Sequence, residues 1–285
     1  MFKKVFFIGF LFTVVLSLPS SAQWTSYEFA KFEDKPLKLT LYIPNEKPTE
    51  PMPVFVSIHG GGWRTGGRGD DPQPAKFAKH GYFSVSIDYR LSGEAKFPSQ
   101  IEDVKCAIRF LRSKAKEFNI NPNKIGVWGS SSGGHLAALL GTSGDVKELE
   151  GKGGYKEFSS RVQAVCEWCG PVDPFKIEEM CKKQQYCVIN DLYKQLFGGM
   201  ASEKKELATK SNPVTFITKD DPPFLIMHGD KDQIVPHEQS ILLYEALKKA
   251  GVEATLYTVK DGKHSFGGED PDKMMFDFFD KHLKK

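Results

Sequence analysis

Residues 124–140 read KIGVWGSSSGGHLAALL. Ile125, Val127 and Trp128 form a short apolar run that reads as a buried strand. Gly129-Ser130-Ser131-Ser132-Gly133 follows without a gap. Leu136, Ala137, Ala138, Leu139 and Leu140 then predict a helix built of small and apolar residues. A G-x-S-x-G pentapeptide by itself could be no more than a Gly/Ser-rich turn. Between a strand and a helix it gains a mechanical meaning, because the sharp turn pushes the central serine out at the strand end. A serine hydroxyl is a poor nucleophile unless it is held exposed beside a base. The helix after Ser131 aims its free amides and its dipole at the point where negative charge would develop. Ser131 is therefore the candidate nucleophile.

Such a serine needs a base, and the base needs a carboxylate to orient it. In sheets of this type, ligand sites lie beyond the carboxyl ends of the strands. Residues just after predicted strands are thus the candidates. His264 follows the strand expected over Ala254 to Val259. Asp230 and Asp232 follow the strand Pro223 to Met227, and Asp232, before Gln233-Ile234-Val235-Pro236, is the preferred acid. Of the other histidines at such positions, His59 reads as a brace for the glycines after it. His135 lies in the helix behind the nucleophile, and His228 reads as a holder of its turn. Gly60-Gly61-Gly62 ends the strand Val54 to Ile58. The amides of Gly61 and Gly62, with that of Ser132, are candidate donors to an oxyanion.

The rest of the chain fits an α/β fold. Pro98 opens an amphipathic helix in which Ile101, Val104, Ile108, Leu111 and Ala115 keep helical spacing. Val162 to Trp168 is another apolar strand. Trp24 to Ile43 reads as an antiparallel edge hairpin, Gln239 to Ala250 and Met274 to Leu283 as helices. Strands alternating with helices predict a mostly parallel sheet covered on both faces. Residues 173–212 are charged and lack a strong period. They read as a small inserted cap in a domain spanning residues 23–285.

The N-terminus has the three parts of a secretory signal. Lys3 and Lys4 precede an apolar stretch of 14 residues, Val5 to Leu18, and Ser20 and Ala22 stand at the −3 and −1 positions of a cleavage site. A spanning helix takes roughly 20 apolar residues, so the expectation is a signal over residues 1–22 and a secreted or periplasmic protein without a membrane anchor. Loss of Lys3 and Lys4 lowers the formal net charge of +3 by two, to +1. That balance gives no argument for nucleic acid or an anionic membrane as partner. Hydrophobic content of 40% and a mean hydropathy of −0.37 are ordinary for a globular chain. Five cysteines are present. Cys106 falls among the apolar positions of its helix and reads as buried and free. One or two disulfides are open to Cys166, Cys169, Cys181 and Cys187, with the pairing undetermined.

His59-Gly60-Gly61-Gly62-Trp63, the Gly129 to Gly133 elbow, Asp232 and His264 stand in the chain order of the α/β-hydrolase fold. The stretch DVKCAIRFLRSKAKEFNINPNKIGVWGSSSGGHLA, Asp103 to Ala138, resembles carbohydrate esterases that include feruloyl and acetyl xylan esterases. It is also similar to the hormone-sensitive-lipase-like esterases. The resemblance runs from about Leu37 to His282. It implies a serine esterase that needs no cofactor or metal, acting on a small-molecule or oligosaccharide ester. Trp63 and Trp168, at the same sheet edge, are candidates to flank the substrate, or else ordinary core aromatics. The alternatives are an aryl-formamidase, a general lipolytic esterase, or a binding protein on a hydrolase scaffold.

Overall fold

The strand that leads into Ser131 runs down the middle of the sheet. β5 (Ile120–Ser130) lies parallel between β3 (Met52–Ile58) and β6 (Ala164–Trp168). In this computed structural model, which describes residues 25–44, 48–182 and 187–285, one eight-stranded sheet organises the chain. The expected signal at residues 1–22 lies outside the described residues. The remaining strands are β1 (Thr25–Phe32), β2 (Lys35–Tyr42), β4 (Phe83–Ile87), β7 (Phe224–Gly229) and β8 (Ala254–Val259), in the order β1-β2-β4-β3-β5-β6-β7-β8. The β1/β2 hairpin pairs antiparallel with itself and with β4, and every other pairing is parallel. The continuous apolar runs follow from this. Every residue of β4, β6 and β7 is buried, because layers of helix cover both faces.

The helices are α1 (Gln73–Lys79), α2 (Ser99–Ser113), α3 (Ala115–Phe118), α4 (Ser132–Thr142), α5 (Pro174–Cys181), α6 (Val188–Phe197), α7 (Lys205–Ser211), α8 (Glu238–Lys249) and α9 (Glu269–Phe279). Two cores form, one on each face. Val56, Ile58, Val127, Leu136, Leu139 and Leu243 belong to the α2/α4 face. Phe55, Phe77, Trp128, Leu225, Met275 and Phe279 belong to the face of α1 and α9. Alternation along β3 and β5 sends Phe55 and Trp128 one way and Val56 and Val127 the other.

The inserted segment holds α5, α6 and α7. Asp173 starts it as an N-cap, its side chain accepting from the amides of Phe175 and Lys176. Its middle is more ordered than its charge suggested. α6 buries Ile189, Tyr193, Leu196 and Phe197, a helical stripe hidden between charged neighbours in the sequence. A disulfide joins Cys181 to Cys187, whereas Cys106, Cys166 and Cys169 are free and buried.

Candidate active site

Ser131 sits on the bend between β5 and α4 with φ 55° and ψ −123°. A positive φ in a non-glycine residue costs on the order of 1–3 kcal/mol and persists only where the surroundings enforce it. Two contacts enforce it here. The Ser131 amide donates to Trp168 O at 2.8 Å, and His135 N closes the first turn onto Ser131 O at 3.0 Å. The glycines on either side permit the close approach. A Cβ on Gly129 would lie 2.2 Å from Gly133 O, and one on Gly133 would lie 2.1 Å from Ile58 O.

The loop after β8 brings His264 over the serine. His264 Nε2 is 2.9 Å from Ser131 Oγ, and His264 Nδ1 is 2.7 Å from Asp232 Oδ2. Three residues distant in the chain thus form one line of hydrogen bonds. Backbone contacts lock their loops together: Lys231 N donates to Gly262 O at 2.8 Å, and Asp230 N to Val259 O at 3.1 Å. The Cys169 thiol adds a hydrogen bond to His264 O at 3.3 Å. Asp230 itself points to solvent.

The Asp232 carboxylate is fully buried and fully engaged. Oδ1 accepts the amides of Ile234 (2.8 Å) and Val235 (3.0 Å), and Oδ2 accepts from His264 and from His228 Nε2 (3.0 Å). Burial alone raises its pKa. The hydrogen bonds from His228, His264 and the Ile234 amide outweigh burial and hold it well below the usual carboxylate range. It is charged at any pH at which an imidazole can serve as a base.

The amides of Gly61, Gly62 and Ser132 make no hydrogen bond to another described residue. Ser132 opens α4, so its N–H has no intrahelical acceptor. Gly61 and Gly62 both take positive φ, 105° and 63°, in the tight loop after β3. His59 braces that loop through Nδ1 to Gly60 O at 2.8 Å and by stacking on Tyr89 at 4.2 Å. All three amides belong to residues lining the cavity that holds Ser131 and His264, whose volume is about 610 Å³.

Trp63 and Trp168 line the same cavity, yet both are packed residues. Trp63 is 1% exposed, donates its indole N–H to His135 Nδ1 at 3.2 Å and stacks on Tyr193 of α6. Trp168 is 5% exposed, stacked on Phe266 and edge-on to Trp128. His135 stays neutral, because burial pushes it down to about 4 against the hydrogen bond to Ser211 O. It anchors Trp63 and the end of α7 rather than facing the serine.

Several lining residues escape a reading of the sequence. Ile189 and Leu192 arrive from the cap, Ile234 from the acid loop and Asp71 from the loop before α1. Asp71 is a half-buried carboxyl raised to about 6 by desolvation, despite bonds from Gln73 N (2.9 Å) and Ser57 Oγ (3.2 Å). The contact of His228 with Asp232 is a second omission. The spacing of four residues carried the signal, but a turn-holding role hid it.

Cys169, Asp232 and His264 are the one group among the described residues with ligand atoms close enough, within 4.8 Å, to hold a metal ion. Their chemistry fits poorly. Burial pushes the Cys169 thiol well above its ordinary value, away from the thiolate that binds metals. The imidazole and the carboxylate are already bonded to each other.

The chain is similar to known esterases. The chain is 28% identical to Esterase LipQ of Mycobacterium tuberculosis over 226 residues, 78% of this chain and 52% of that protein. It is 26% identical to an acetylxylan esterase of Xylanibacter ruminicola over 269 residues, 93% of this chain and 50% of that protein. It therefore spans about half the length of these curated relatives. A truncated carbohydrate esterase from gut microbiota, solved as a structure, superposes with a TM-score of 0.80 at 33% identity, covering 94% of this chain and 99% of that one. With the BD-FAE family matching residues 39–247, most of the described domain, the chain belongs to that family of α/β-hydrolase esterases.

Proposed function

We propose that the protein is a serine carboxylic-ester hydrolase that cleaves short-acyl or feruloyl esters of plant carbohydrate. The observation that carries this reading is the unbroken line from Ser131 Oγ through His264 to Asp232 at the wall of a 610 Å³ cavity. Ser131 Oγ attacks the ester carbonyl, and its proton passes to His264 Nε2. The imidazolium is stabilised by buried Asp232, which keeps its own negative charge. The carbonyl oxygen gains charge facing the amides of Gly61, Gly62 and Ser132, fixed donors that need no reorganisation. Collapse expels the alcohol, which takes the proton from His264. Water then repeats the sequence on the acyl-enzyme. No step calls for a cofactor.

The carbohydrate assignment is supported by the acetylxylan esterase and the gut carbohydrate esterase among the relatives. The signal-like N-terminus supports action outside the cytoplasm, among polymers and their fragments. Trp168 and Phe266 give the cavity an aromatic wall suited to sugar rings and phenolic acyl groups. The test is kcat/KM across acetyl, butyryl and decanoyl p-nitrophenyl esters, beside acetylated xylan, methyl ferulate and an aryl formamide, for wild type and Ser131→Ala. We expect short esters and a carbohydrate or feruloyl ester to lead, and Ser131→Ala to lose on the order of 10⁶ in kcat. A preference for decanoate points to a lipase, and one for the formamide to an amidase. Turnover retained by the alanine variant refutes the nucleophile.

A further inference from the structure

A second line of buried side chains leaves Asp232 in the direction away from the cavity. His228 Nε2 lies 3.0 Å from Asp232 Oδ2 and 2.9 Å from Val235 O. Both neighbours are acceptors, so that nitrogen carries a hydrogen. The other nitrogen, Nδ1, is 2.7 Å from Ser240 Oγ of α8. In a neutral ring Nδ1 must accept, so the hydroxyl spends its single hydrogen there. Ser240 Oγ also lies 3.5 Å from Glu167 Oε2 on β6. With its hydrogen already given, Ser240 can only accept from Glu167, and the carboxyl must then supply the proton. Glu167 Oε1 accepts the Gly170 amide. Glu167, Ser240, His228 and the Asp232 side chain all have zero exposure, so water does not substitute for any of them.

We propose that His228 is a positioning residue for Asp232, itself oriented by protonated Glu167 acting through Ser240. The proposal rests on the reading of Ser131, His264 and Asp232 as the catalytic line. Independent support comes from the state of Glu167. Burial pushes its carboxyl up to about 8, against the hydrogen bond from the Gly170 amide. The titratable groups packed around this chain bring no competing charge. The thiols of Cys166 and Cys169 are held neutral by burial, and burial likewise favours the neutral form of His237, edge-on to His228 at 5.4 Å. His228 thus offers Asp232 Oδ2 a second N–H donor. The carboxylate cannot rotate, and part of its charge is shared away from His264.

The distinguishing readout is the acid limb of the pH–rate profile. Removing the His228 donor leaves the whole carboxylate charge facing His264, which raises the basicity of that imidazole. His228→Phe, assayed on p-nitrophenyl acetate, is expected to lower kcat about tenfold, the weight of one hydrogen bond to a charged group, with little change in KM. Its acid limb should move up by about half a unit or more. His228→Gln keeps an N–H toward Asp232 and should return the limb to its wild-type position. Glu167→Leu should behave as His228→Phe, and Glu167→Gln, the neutral isostere of the protonated carboxyl, should rescue it. If His228→Phe does not fold, Ser240→Ala breaks the same line and carries the same expectation. A lowered rate with an unmoved acid limb overturns the proposal in favour of mere packing. Glu167→Gln as impaired as Glu167→Leu overturns it by requiring a carboxylate. Wild-type protein without ester turnover overturns the triad reading and this one with it, whereas turnover with unaffected variants overturns this one alone.

Discussion

Asp232→Asn changes no volume and replaces one oxygen by an amide nitrogen, yet neither orientation of the new side chain fits. With the remaining oxygen on the Ile234 and Val235 amides, the NH₂ group faces the N–H groups of His264 and His228. Turned over, it faces the two backbone amides instead. Either way two buried donors lose an acceptor, at about 1–3 kcal/mol each. For a domain of this size the melting temperature should fall on the order of 10 °C. The chemical penalty is separate. His264 can satisfy the amide only by presenting Nδ1 as an acceptor, which puts its hydrogen on Nε2, facing Ser131 Oγ. In a protease triad the same change lowered kcat by about 10⁴, or about 5.4 kcal/mol at 1.36 kcal/mol per decade. The assay is kcat/KM on p-nitrophenyl acetate for variants with a native circular-dichroism spectrum, with Asp230→Asn as control. Asp230 is exposed, and its variant should stay within about twofold, as surface changes do. A folded Asp232→Asn variant with more than about 1% of wild-type activity refutes the tautomer argument.

The close approach at the elbow makes Gly133→Ala severe. Its Cβ would meet the Ile58 and His59 carbonyl oxygens at 2.1 and 2.7 Å, whereas a Cβ on Gly267 meets nothing within 4 Å. Soluble yield and melting temperature should collapse in the first variant and hold in Gly267→Ala; equal behaviour would refute the packing described. Glu167 sets a pH dependence with a definite sign. Its folded pKa of about 8 lies above the unfolded value near 4.3, so the native state holds the extra proton. Its contribution is complete below about pH 4.3 and is lost as pH rises to 8. Denaturant titrations at pH 5, 7 and 9 should therefore show wild type losing stability relative to Glu167→Gln, and a constant difference would contradict the assignment. Asp232 has the opposite sign, since its depressed pKa gives stability above about pH 4 that acid removes.

The parts of the site that follow strands in close succession were legible in the sequence. Ser131, Asp232, His264 and the glycines after Ile58 are each placed by a local rule, namely that a parallel sheet gathers its functional groups beyond the strand ends. The alternation of strands with helices likewise indicated a sheet covered on both faces. Contacts between remote elements were not legible. Nothing local says that Glu167 meets Ser240 of α8, because 73 residues separate them. The aromatic residue Trp63 could be placed near the site but not oriented. Its packing between His135 and Tyr193 is set by the cap, whose apolar stripe in α6 is interrupted by Asn190, Asp191 and Lys194. The disulfide between Cys181 and Cys187 depended in the same way on how α5 meets α6.

The order of strands across the sheet has a bearing on when this site comes into being. The candidate nucleophile follows β5, the candidate acid follows β7 and the candidate base follows β8, the edge strand. From β5 onward each new strand adds to the one before it, β6 on β5, β7 on β6 and β8 on β7, and the acid and base loops bond to each other through Lys231 and Gly262. A nascent chain with β5, its elbow and β6 formed holds a strained serine but no base. The line closes only after β8 has docked on β7 and the loop carrying His264 has turned back. α9 then buries Met275 and Phe279 against the face that holds Phe55 and Trp128. On the proposed function, ester turnover therefore reports on the completion of one entire half of the sheet as well as on chemistry.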